Sequence, residues 1–78
     1  MVIDCIEFDG QCDSLAVTGN EVYITIQSDD LLVHVTNQNG KLIRREDVTG
    51  FNFPHGIESR GSKIAVTNYG DNTVRVVN

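Results

Sequence analysis

The chain has 78 residues, 40% of them hydrophobic and 22% charged, with a net charge of −5. That length allows one domain at most, and the composition is that of a folded chain rather than a disordered one. The acidic balance repels a phosphate backbone, which argues against a nucleic-acid partner, and no apolar run approaches the roughly 20 residues of a membrane-crossing helix.

From the amino terminus, Met1-Val2-Ile3-Asp4 shows neither a basic segment nor a long apolar one, so no signal peptide is visible and a cytoplasmic location is the default expectation. A short strand is expected over residues 2–6. Cys5 and Cys12 are too few for a disulfide framework and lack the C-x-x-C spacing of a redox pair or zinc knuckle, so they are expected to be small buried side chains. Strands are then expected over about residues 13–17, 21–27, 31–36 and 41–48, and again over 56–59, 63–69 and 73–78. Their apolar period is two: Val22, Ile24 and Ile26 alternate with Tyr23, Thr25 and Gln27, and Ile64 and Val66 with Ala65 and Thr67. Residues 31–35 and 74–77 are nearly continuous apolar runs, the pattern of strands covered on both faces. His34, inside the first run, is expected to be a partly buried strand residue. Turn chemistry sets the boundaries at Gly19-Asn20, Ser28-Asp29-Asp30, Asn39-Gly40, Gly61-Ser62 and Gly70-Asp71-Asn72. The strands therefore follow one another as a meander, and Arg44-Arg45-Glu46-Asp47 reads as the mixed-charge guard of an outer edge.

The chain repeats itself. At an offset of 42 residues Gly19 falls on Gly61, Thr25 on Thr67, Asp29 on Asp71 and Val35 on Val77. In the same register Leu15 meets Ile57, Val22 meets Ile64, Ile24 meets Val66 and Leu32 meets Val74. A period near 40 with four short strands per unit is the mark of a β-propeller. The order is one outer strand, a complete set of four, then three.

Phe53-Pro54-His55-Gly56-Ile57, followed by residues 61–76 with their Gly70-Asp71-Asn72 turn, resembles a blade of the NHL-repeat and related six-bladed propellers. The first repeat fits more loosely, with Cys12-Asp13-Ser14-Leu15 in place of Pro-His-Gly-Ile and Ser28-Asp29-Asp30 at the turn. No tryptophan-aspartate signature is present. The resemblance implies an all-β fold of two four-stranded antiparallel blades within one unit over residues 1–78: residues 1–7 as the outer strand of a split blade, 8–50 as a complete blade, and 51–78 as the inner three strands of the split one. Full rings have about four to eight blades, and lone blades are unstable because each sheet covers its neighbour. The chain is therefore expected to be one third of a six-bladed ring, a homotrimer; a tetramer, or the remaining blades of a longer chain, are the other ways to cover its faces. The first strand of one copy could then close the ring beside the last strand of another.

His55 opens an inner strand near the expected channel, where it is a candidate ligand-binding residue and a candidate metal ligand, with three copies converging in a trimer. Asp13 is its counterpart in the first repeat, and the two could alternate around the channel mouth. Asn68 and Asp71 are carried over from the gluconolactonase-like propellers, whose Glu, Asn and Asp side chains hold a divalent metal. Ile26 stands at the place of Asn68 in the first repeat, and stabilisation of the turn is the simpler role for Asp71 and Asn72. There is no nucleotide-binding glycine fingerprint and no nucleophile elbow. The functional expectation is a scaffold or binding module that assembles by blade stacking. The alternative is part of a metal-dependent hydrolase or lactonase, for which a divalent cation would be the cofactor.

Overall fold

A computed structural model describes residues 1–78. The chain is all-β: β1 (Cys12–Thr18), β2 (Glu21–Ile26), β3 (Leu31–Gln38) and β4 (Lys41–Val48) form one antiparallel sheet in that order. Then β5 (Pro54–Arg60), β6 (Lys63–Asn68) and β7 (Thr73–Val77) form a second. One short turn of 3-10 helix, Gln27–Asp29, joins β2 to β3. The turns take the conformations that their residues favour. Gly19 and Gly61, one repeat apart, both have φ of 59°, and Asp30 and Asn72 stand at 55° and 59°. Asn39 and Gly40 both lie at positive φ, as a type I′ hairpin demands.

Pairing fixes which side chains share a face. In the first sheet Val22, Ile24 and Ile26 oppose Val35, Val33 and Leu31, while Tyr23 and Thr25 oppose His34 and Leu32 on the other side. Ile24, Ile26, Val33 and Val35 make one core, with Ile6, Phe8 and Leu42 packed on it. Leu32 joins Ile64 and Val66 of the second sheet, and Phe51 of the loop before it, in another, flanked by Tyr23, Val48, Ile57 and Val77. A fully buried side chain of this kind contributes about 1.5–3 kcal/mol. Only 12 of the 78 residues are buried, however, so apolar surface is left over. Leu15 and Val17 are exposed on the far face of the first sheet, and Val74 and Val76 on the far face of the second.

Three expectations need correction. Residues 2–6 form no strand within the chain; the segment folds across the far face of the first sheet, where Ile6 and Phe8 find apolar contacts that no ladder offers them. Cys5 and Cys12 are free and exposed rather than buried. The 74–77 run is not covered on both faces, because nothing in the chain lies over Val74 and Val76.

Candidate functional site

Both sheets carry a bulge at the same place in their first strand. The register of β1 on β2 shifts between Cys12 and Leu15, and that of β5 on β6 between Pro54 and Ile57, one repeat later. A threonine holds each bulge. The Ser14 N–H donates to Thr25 Oγ1 at 3.0 Å, and the Gly56 N–H donates to Thr67 Oγ1 at 2.7 Å. Each hydroxyl donates back to the carbonyl of the same residue. Bulges re-aim side chains and recur beside functional sites. Here they present Asp13 and His55.

The two repeat-related residues meet. Asp13 Oδ2 lies 2.8 Å from His55 Nδ1, with the Asp13 side chain 22% exposed and the His55 side chain 59% exposed. A carboxylate only accepts, so the ring donates its Nδ1 proton to Asp13, and Nε2 has no partner in the chain. Gln27 Nε2 stands 3.4 Å from the same Nδ1 and is a loose polar neighbour, since that nitrogen's proton already goes to Asp13. Thr25 Oγ1 also reaches the His55 carbonyl at 3.4 Å, tying the two bulges together.

Beside His55 lies an open cavity of about 300 Å³ lined by Gln27, Phe53, His55 and Tyr69. The Tyr69 ring centroid is 5.9 Å from that of Phe53 and 6.3 Å from that of His55. Tyr69 is largely exposed, and Phe53 half-exposed. Phe53 sits at φ of 51°, a left-handed conformation costly for a bulky side chain. It is held there from both ends: its N–H donates to Asp30 Oδ1 at 2.7 Å and its carbonyl accepts the Tyr69 N–H at 3.0 Å.

Hydroxyl chemistry does not follow from this arrangement. The Ser14 hydroxyl donates to Asp13 at 3.1 Å rather than to the histidine, so the nucleophile–base contact of a catalytic triad is absent. Asn68 and Asp71 do not join the pair. Asn68 is buried, its Oδ1 accepts the Asn52 N–H and its Nδ2 donates to Thr73, whose hydroxyl donates to Asp71. Their side chains staple the turn before β7 to the loop before β5. Asn68 Oδ1 and Nδ2 are both engaged within the turn, and no three His, Cys, Asp or Glu side chains of this chain cluster, so one chain by itself builds no metal site on the lactonase pattern.

A second polar group was not anticipated from the sequence. The Tyr23 and His34 rings stack with centroids 4.6 Å apart and planes 5° from parallel. The Glu21 carboxylate accepts from His34 Nε2 and from the Thr36 hydroxyl. The His34 bond, the Thr36 bond and the nearby charges of His34 and Arg45 hold Glu21 below the usual carboxylate range. Burial, reinforced by Glu21 and Glu46, pushes the Tyr23 hydroxyl up. These contacts join β2 to β3, so the group braces the two central strands of the first sheet and lines no cavity. His34 is half-buried, as expected of its place in the run.

Comparison with protein-family models, curated proteins and solved structures finds no match to this chain.

Proposed function

We propose that this chain is a binding module of two propeller-type blades that stacks head to tail with further copies, carrying one His–Asp pocket per chain on the ring face. The observation that carries this reading is the repeat relation between the faces. Inside the chain, the Tyr23/Thr25/Leu32/His34 side of the first sheet packs on the Ile57/Ile64/Val66/Val77 side of the second. One repeat earlier, that second set corresponds to Leu15, Val22, Ile24 and Val35, the far face of the first sheet. One repeat later, the first set corresponds to Ala65, Thr67, Val74 and Val76, the far face of the second. The two outer faces thus stand, one repeat away, in the places of the two halves of an interface the chain already makes, and both are mostly apolar.

Repeating that operation between copies is a heterologous contact, which closes into a ring when the rotation allows. Three copies give six sheets, and four give the neighbouring closed form. In either ring each His55 stands between the Asp13 of its own chain and that of the next. Burial of the exposed valines and leucine at roughly 25 cal/mol per Å² drives the contact.

Light scattering across a dilution series tests the reading. A mass near three chains at micromolar concentration, reduced to one chain by Val76→Glu with the β spectrum retained, is the expected result. A well-folded single chain at every concentration would overturn it.

A further inference from the structure

The far face of the first sheet is not bare. Ile6 and Phe8 lie on its core of Ile24, Ile26, Val33 and Val35. Asp4 Oδ2 accepts the Leu42 N–H at 2.8 Å, and the Asp4 carboxylate also accepts the Cys5 N–H at 2.8 Å. The Arg44 guanidinium covers the Phe8 ring at 5.0 Å. Residues 2–8 thus form a strap over the surface that stacking would need. At the other end of the chain, β7 pairs with β6 alone, so the second sheet lacks the fourth strand that β4 gives the first.

The repeat joins these two facts. β4 precedes β5 in the chain, pairing in one sheet while β5 begins the sheet stacked on it. Shifted by one repeat, residues 44–48 of β4 fall on residues 2–6, which precede β1 by the same interval. The first sheet supplies the register: Val48 opposes Leu32, Asp47 opposes Val33 and Arg44 opposes Val35. The equivalent pairs are Ile6 with Val74, Cys5 with Arg75 and Val2 with Val77.

We infer that residues 2–6 occupy alternative places: the strap over their own first sheet in the single chain, and a fourth strand along β7 of another copy in the assembly. The copy that stacks on the free face of the second sheet is the copy that supplies the strand. One movement therefore bares the face and satisfies the open edge of β7, whose unpaired N–H and carbonyl groups are a template for such addition. This inference rests on the stacking reading above, and its test separates the two.

Two measurements are made on the whole chain. Asp4→Ala with Phe8→Ala loosens the strap while sparing the backbone of residues 2–6. Light scattering is expected to show assembly at about tenfold lower concentration than wild type, equivalent to about 1.4 kcal/mol by the affinity relation. Cys12→Ser with Arg75→Cys, oxidised mildly, is expected to give chains linked through Cys5 on a non-reducing gel. Val2→Cys with Val77→Cys in a Cys5→Ser, Cys12→Ser background repeats this where loss of Arg75 disturbs folding. A loosened variant that stays a single chain at every concentration overturns stacking and exchange together. Assembly with neither the concentration shift nor a link between copies overturns the exchange and leaves stacking in place.

Discussion

Thr25 is fully buried and Thr67, its counterpart one repeat later, is exposed, although both hydroxyls brace the same bulge in the strand beside them. The difference is the neighbouring sheet. Thr25 lies beneath β5 and touches the His55 carbonyl, while nothing covers Thr67. In a stacked assembly Thr67 would acquire the partner that Thr25 already has, the carbonyl of Asp13 in the next copy.

The two threonines should therefore respond differently to the same change. Thr25→Val leaves the half-buried Ser14 N–H without its acceptor, beneath β5, and is expected to cost about 1–3 kcal/mol. Thr67→Val leaves an N–H that water can reach, and is expected to cost less than about 1 kcal/mol in the single chain. Urea titrations of both variants, in dilute solution, check this; equal losses would contradict it.

Acid should release the strap. The Leu42 and Cys5 N–H bonds hold the Asp4 carboxyl below its ordinary value, and the Lys41 charge adds to them. A depressed carboxyl contributes its stability fully above the unfolded value of 3.8 and loses it as pH falls through the lower folded value. Glu21 behaves likewise from 4.5. Hydrogen exchange at the Leu42 amide, corrected for its intrinsic pH dependence, is expected to lose protection below about pH 4. Asp4→Ala, which removes the acceptor, should abolish the protection at neutral pH and flatten that dependence. A Leu42 amide that stays protected in Asp4→Ala would show that the carboxylate does not hold the segment.

The central contact between the sheets should tolerate little. Leu32 is fully buried at the seam between them, and Leu32→Ala is expected to cost about 2–5 kcal/mol. Domains of this size have stabilities near the lower end of roughly 5–15 kcal/mol, so the variant should be largely unfolded at room temperature. Leu15→Ala, on an exposed position, should change the urea midpoint little in dilute solution. Circular dichroism on both variants decides.

Assembly should not need a cation. Asn68 and Asp71 are spent on the turn before β7, and the chain holds no cluster of three metal-binding side chains. A chelator is expected to leave the mass by light scattering unchanged. A chelator-induced fall to single chains, reversed by zinc, would instead point to His55 as a shared ligand.

The seven strands and their turns were legible because two local signals agree: apolar alternation, and glycine or Asx residues at positive φ. Gly19, Asn39, Gly61 and Asn72 each mark a turn that forms. The repeat also placed Asp13 and His55 at equivalent positions, and their contact is a direct consequence. The destination of residues 2–6 was not legible. Their β-forming side chains suit a strand, but a strand needs an edge, and within one chain that edge lies on the other sheet. The pocket wall was only partly visible: Gln27 and Phe53 each belong to a local pattern, but neither pattern tells that the two meet beside Tyr69, a placement set by bonds from Phe53 to Asp30 and Tyr69 across the chain. The Glu21–His34–Tyr23 group escaped notice because it depends on cross-strand register, which spacing along one strand does not reveal.

Asp4 finds its anchor 38 residues downstream, at Leu42. During synthesis the opening segment leaves the ribosome long before the hairpin that will hold it. A nascent molecule must complete four strands before it can sheathe itself, so its sticky side stays naked for that interval. Neighbouring molecules translated from one message would meet in that unguarded condition, whereas mature molecules, diluted and sheathed, would meet with a barrier between them.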